Sequence, residues 1–339
     1  MIRAWWGNAV ECRLFMGGRP RCGSGDGARG NFLLLREPLY LALAENAVDI
    51  VPYLFYRKFL FNLWANSRSL THTGISTGSL MSSSLLSFVL LSRPVTPDMS
   101  AVAKVLHARH PELAAEAPDD DELQPAQANS PLIRCGNELV ALMSMPAPIP
   151  QDPGLWARAA RTWPESEAVA TDHQGHIIVS LLGKTEQPLV AARLTTAVIG
   201  ALIATVPECC GVVWAGRVAQ PADLWLDASR WSLAPYPDYP FRLWVDILPF
   251  RSGTKIGAIT MGLSAFVGRE IEFVTGKLAL PALFDKVAGL SVYLIEHGKV
   301  VKDGDTIGAS ASERIAVRYK NSDVFGGLPV FYCTDEFEH

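Results

Sequence analysis

The sequence predicts an α+β protein: a mixed, largely antiparallel sheet covered by helices. Strand-like and helix-like stretches alternate after residue 81, and strand-like stretches cluster toward the end. Hydrophobic residues make up 49% and charged residues 19%, which supplies a core and argues against disorder over most of the length. The densest pattern lies at 243–273, where alternating apolar runs at 243–247 and 256–261 flank Arg251-Ser252-Gly253-Thr254 as a strand–turn–strand unit. Gly257, Gly262 and Gly268 punctuate it, as glycines do at bulges and close backbone approaches.

The 339 residues allow one large or two medium domains. Residues 1–80 hold nine basic and five acidic side chains, whereas the remainder holds 21 basic and 29 acidic. Residues 1–30 are rich in Gly and Arg without the apolar core of a signal peptide. Residues 31–64 are apolar, but Arg36, Glu37, Glu45, Asp49, Arg57 and Lys58 interrupt them. No run approaches the ~18 residues of a spanning helix. Residues 66–80 are a Ser/Thr/Gly linker leading to Met81. The expected division is therefore an N-terminal extension (1–80) with Met81 as the natural start, an alternating half (81–220), a strand-rich half packed on it (221–320), and a frayed tail (321–339).

From Met81 the elements read in order. LSFVLLS (86–92) is a buried strand, and Asp98 or Ser100 caps a helix to Arg109. Residues 111–131, with Asp119-Asp120-Asp121-Glu122, read as a solvated acidic loop. ELVALMSM (138–145) is a strand, and Asp152-Pro153 is an N-cap and first-turn pair opening a helix to Trp163. GHIIVSLL (175–182) is a strand, 189–206 a helix ended by Pro207, and 211–215 a strand. After the 243–261 unit come strands at 270–274, 291–295 and 315–319, with a helix near 281–288. Glu296-His297-Gly298-Lys299 has the chemistry of a hairpin turn.

Net charge of −4 and a pI near 6.0 give nucleic acid or an anionic membrane no electrostatic reason to bind. The six cysteines are scattered and none forms a CxxC pair, which points to reduced thiols in a cytoplasm. Cys209-Cys210 has no activating base beside it. Gly183-Lys184-Thr185 sits where a phosphate loop would, but the required earlier glycine is Ile178, so it reads as a turn. His173 and His176 are three apart, and His176 begins a strand, where that spacing faces them to opposite sides. Glu270 and Glu272 fall on one strand face, either as an acid–base pair or as the wet side of an edge strand. Asp303-Gly304-Asp305-Thr306 lacks the spacing of a calcium loop and reads as a structural turn. No metal and no cofactor is expected.

Several segments recur in a familiar order: Met-Pro-Ala-Pro-Ile-Pro (145–150), His-Ile-Ile-Val (176–179), Leu-Trp-Val (243–245), Thr-Met-Gly-Leu through Gly-Arg-Glu-Ile-Glu (260–272), and Gly-Lys-Val-Val-Lys-Asp-Gly-Asp-Thr-Ile-Gly (298–308). Together they resemble a bacterial family of uncharacterised proteins with a C-terminal domain of unknown function. The resemblance covers most of 86–319 and none of 1–80, and it implies a bacterial cytoplasmic setting and the choice of Met81. It supplies no activity, and a link to secretion or toxin–immunity systems is analogy alone.

Two function classes follow. A non-enzymatic protein-binding or immunity-type module would grip a protein partner through WLDASRWSLAPYPDYPF (225–241), with Trp225, Trp231, Tyr236, Tyr239 and Phe241 as its contacts. A small-molecule hydrolase or transferase would instead need His176, Glu270, Glu272, Asp303 and Asp305 to converge on one pocket, a carboxylate acting as base and His176 as orienter or acid. Oligomeric state is left open.

Overall fold

Two sheets, rather than one, carry the strands. The computed structural model describes residues 85–117, 131–182, 187–236, 238–308 and 313–335. The expected extension (1–80), the Met81 start, the Gly183-Lys184-Thr185 turn and most of the acidic loop lie outside these residues. The described residues form seven helices and 13 strands, an α+β fold.

The first sheet has the order β2-β3-β4-β5-β1-β6-β7 and is antiparallel throughout. Its strands are β1 (Leu86–Leu91), β2 (Ala115–Glu116), β3 (Leu132–Cys135), β4 (Glu138–Met145), β5 (Gly175–Leu182), β6 (Cys209–Trp214) and β7 (Val218–Pro221). Strands β5 and β6 run the same way with β1 between them, joined by helix α4 (Pro188–Thr205). This split β–α–β arrangement is how helix–strand alternation yields antiparallel neighbours.

Local chemistry sets the helix starts. Asp98 caps α1 (Met99–Arg109) by accepting from the Ala101 amide. Asp152 caps α2 (Pro153–Ala159) by accepting from Gly154 and Leu155, with Pro153 in the first turn. The helix expected to reach Trp163 stops at Ala159, and a separate α3 (Ser166–Asp172) follows. Both cover one face of the first sheet, where Trp156 and Trp163 meet edge to face and pack in one cluster with Leu90, Val213 and Ala219. On the other face α4 lies in the main core. By length and composition alone it could cross a membrane, yet it is mostly buried, as a core helix is. Its Gly200 admits Ser229, whose Oγ would lie 2.0 Å from a Cβ at that position.

The second sheet has the order β11-β12-β13-β10-β9-β8. Its strands are β8 (Asp246–Ser252), β9 (Lys255–Met261), β10 (Glu270–Thr275), β11 (Thr306–Ile307), β12 (Ile315–Asn321) and β13 (Pro329–Thr334). Pairing is mixed, since β10 runs parallel to β13 and antiparallel to β9. Strands β8 and β9 form the expected hairpin with Gly253 at φ 60, although 243–245 precedes β8, Leu243 ending a short 3-10 turn at Phe241–Leu243. Helix α5 (Ala222–Ala228) follows β7, α6 (Ser264–Val267) joins β9 to β10, and α7 (Leu280–His297) covers the inner face of the sheet.

Three expectations are corrected. Residues 291–295 are not a strand, because α7 runs through them to His297. Leu283, Val287, Leu294 and Ile295 keep a helical apolar stripe, and Ser291 donates to the Val287 carbonyl. Glu296 to Lys299 is therefore no hairpin turn: Gly298, at φ 72, ends the helix. Residues 322–335, which the tail was expected to leave frayed, are ordered into the sheet. Ser322 Oγ accepts from the Val324 and Phe325 amides, Gly326 and Gly327 turn at positive φ, and β13 enters beside β10 with Phe331 and Cys333 buried.

One apolar cluster spans both sheets. At its centre Trp244 stacks on Tyr239 (5.6 Å between ring centroids), contacts Trp214 and Phe266, and donates its indole N–H to Thr196 of α4. Trp225 packs on Trp214 at 5.9 Å.

Truncation after Asn321 should abolish cooperative unfolding, since it removes an interior strand. A truncated protein with wild-type urea and thermal midpoints would contradict the placement of β13. Gly262 has φ 107, and a Cβ there would lie 2.1 Å from the Trp244 carbonyl oxygen. Gly262→Ala should therefore lower stability by about 1–3 kcal/mol or more, read as a drop in the urea midpoint.

Candidate functional site

The two glutamates of β10 share one face, as their spacing predicts, but β10 is interior and both are buried, at 2% and 3% exposure. The wet edge strand is thereby corrected: an outer apolar layer of Leu248, Ile259, Met261 and Val330 flanks them.

Glu270 is saturated. Its Oε1 accepts from the amides of Gly262 (2.9 Å) and Ser264 (3.1 Å) and from Ser264 Oγ (2.7 Å). Its Oε2 accepts from Thr260 Oγ1 (2.6 Å) and the Leu263 amide (3.1 Å). These amides are the free donors at the start of α6, which no backbone carbonyl can reach. Thr260 Oγ1 also accepts from the Ile271 amide at 2.8 Å, beyond the last paired rung at Glu272 and Ile259. The carboxylate thus works as a clamp on the β9–β10 connection. Its partners Thr260, Gly262 and Ser264 went unread as a site in the sequence. The visible signal was small and hydroxyl residues just before a short helix that has no capping side chain of its own.

Glu272 differs. Ile259 and Tyr332 stand directly opposite it, and its Oε2 is buried with no hydrogen-bond partner among the described residues.

His176 belongs to the other sheet. It is fully buried on β5, its ring meets Phe88 edge to face, and its Nδ1 lies 2.7 Å from the Ala147 carbonyl oxygen. Burial holds its pKa down to about 4, against the pull of that hydrogen bond. His173 is pinned separately, its Nε2 accepting from the Ile149 amide and its Nδ1 donating to the Val169 carbonyl. Asp303 accepts from the Tyr319 amide and Asp305 from the Lys302 amide, which fastens their turn onto β12. The five candidate groups therefore stand in three places: one on β5, two on β10 and two in the turn before β11. Among the described residues no group of three or more His, Cys, Asp or Glu side chains could hold a metal ion. Burial pushes Cys209 up to about 12 and Cys210 up to about 11, so neither is a ready thiolate.

The aromatic segment splits in two. Trp225 and Tyr239 are core, at 0% and 2% exposure, and Phe241 is half-buried against the same cluster. Trp231 and Tyr236 are exposed, at 62% and 47%, with Leu224 at 44%. The period of α5 turns Trp225 inward, and the 3-10 turn at Ser229–Trp231 leaves Trp231 out. Arg193, which the sequence did not single out, lies over the Tyr239 ring at 4.9 Å and beside Glu296 at 3.7 Å.

A model of a domain of unknown function, DUF4261, matches residues 259–330, from β9 to the start of β13. An uncharacterised C-terminal domain, which the resemblance implied, is found over that span. Searches of curated proteins and of solved structures found no match.

Removing the clamp strands several buried donors, at about 1–3 kcal/mol each. Glu270→Ala should lose about 3 kcal/mol or more in urea unfolding, and Ser264→Ala less, since the other donors keep their acceptor. Equal small losses in both would contradict the clamp. The sign for His176 follows from its depressed value: between about 4 and its ordinary 6.5 the unfolded chain binds more protons. Its contribution is complete above about pH 6.5 and is lost as pH falls toward 4, a loss of about 3 kcal/mol. His176→Gln should flatten the fall in stability over that range, and an unchanged slope would contradict it.

Proposed function

We propose that this protein is a non-enzymatic binding module of a bacterial cytoplasm that grips a protein partner through Trp231 and Tyr236. The observation that carries the reading is a tryptophan 62% exposed, with a tyrosine and a leucine near it in sequence also exposed, on a chain whose other tryptophans near it in sequence are fully buried. Aromatic side chains of this size are the commonest anchors of protein interfaces, and leaving one in water is unfavourable unless something covers it. Their neighbours Trp225 and Tyr239 fix the backbone beneath them from inside the core. An immunity or secretion role is one setting for such a module. The hydrolase or transferase reading has weaker support, since its five groups stand in three places and Glu270 is already filled by donors.

Alanine at both Trp231 and Tyr236 should weaken a co-purified partner about 30-fold or more and leave the thermal midpoint within a degree or so of wild type. Trp225→Ala should instead cost about 3–5 kcal/mol of stability. Undiminished partner binding by the double variant, or loss of binding and stability in parallel, would contradict the reading.

A further inference from the structure

The outer face of the second sheet holds a buried carboxylate oxygen that no hydrogen bond among the described residues satisfies. Glu272 is 3% exposed, and its Oε2 finds no hydrogen-bond partner among the described residues. A carboxylate is among the costliest groups to bury alone, and native structures keep such groups where a water, ion or ligand completes them. Glu270, two residues away on the same face, shows how fully this fold can satisfy a carboxylate.

What surrounds Glu272 narrows the chemistry. Tyr332 stands opposite it on β13. One row along, Phe250 lies on Gly257, its ring 2.3 Å from where a Cβ would be, and Phe325 meets Phe250 edge to face at 5.3 Å. All three rings are half-buried, so the rim of this apolar layer reaches solvent. Ring faces attract a cation through their quadrupole, and a carboxylate supplies its counter-charge. The face already seats one cation: Lys320 Nζ lies 3.8 Å from the centroid of Tyr332, although its ion pair is with exposed Asp323 at 3.3 Å.

We propose that this face binds an organic cation, an ammonium or guanidinium group, with Glu272 as counter-ion and Tyr332, directly opposite it, as the aromatic ring beside the cation. The site is separate from the Trp231 surface and does not depend on it.

Thermal shift assays of the full chain with n-butylammonium, methylguanidinium and Nα-acetyl-lysine amide test this, with sodium chloride at matched ionic strength as the control. A ligand that binds only the folded state raises the midpoint with concentration. The expected result is a saturable rise with butylammonium or methylguanidinium, absent in Glu272→Gln, whose own midpoint is not below wild type. A matching rise with the lysine amide would mark the source as a side chain rather than a free amine. If Glu272→Gln does not fold, Tyr332→Leu takes its place and must weaken butylammonium binding about tenfold by titration calorimetry. No saturable rise in the wild type, the same rise in Glu272→Gln, or a rise that sodium chloride reproduces would overturn the proposal.

Discussion

Glu270 takes five hydrogen bonds from Thr260, Gly262, Leu263 and Ser264, and the course of the chain between β9 and β10 follows from them. The two strands are antiparallel neighbours, so the connection must reverse within a few residues and still bury its backbone. A four-residue helix leaves amides that nothing inside it can satisfy. The carboxylate reaching back from β10 answers them, and Gly268 at φ 80 closes the other end. Gly262 passes so close to the Trp244 carbonyl that a Cβ there would lie 2.1 Å from its oxygen, so the clamped turn and Trp244 are packed together. Through Trp244 the constraint passes to Tyr239, Trp214 and Thr196, which belong to the aromatic core and the first sheet's helix layer.

The polar groups that look most chemical in the sequence are thus mainly architectural. Asp303 and Asp305 hold a turn on β12, and His176 ties the 145–150 segment to β5 through Ala147. Glu272 and the Trp231–Tyr236 surface are different in kind. One is a buried carboxylate oxygen without a hydrogen-bond partner among the described residues, and the other is apolar area left in water. Both are features that a partner molecule would relieve, and they lie on separate elements.

What was legible in the sequence followed single-element chemistry. Strands β1, β4, β5 and β9 were marked by apolar runs, and Asp98 and Asp152 announced their helices as caps. What was not legible needed tertiary partners. The β-favouring residues after Ser291 continue a helix because its apolar stripe meets the inner face of a sheet built from elsewhere. Strand β13 is short and preceded by two glycines, and it is held by neighbours more than fifty residues away in β10. The alternation of Glu270 with Ile271 reads the same in an edge strand as in an interior one, and only the added layer of Leu248 and Met261 separates them. Residues 225–241 looked like one patch because aromatic density carries no direction. Helix α5 and the turn after it divide that patch between core and surface.

The architectural role of Glu270 is tested most directly by native-state hydrogen exchange at the amides of Gly262, Leu263 and Ser264. If the carboxylate holds them, they exchange only in large-scale unfolding, with protection approaching that of the β9 core amides. Exchange at the rate of an open surface loop, with β9 and β10 still protected, would contradict the account.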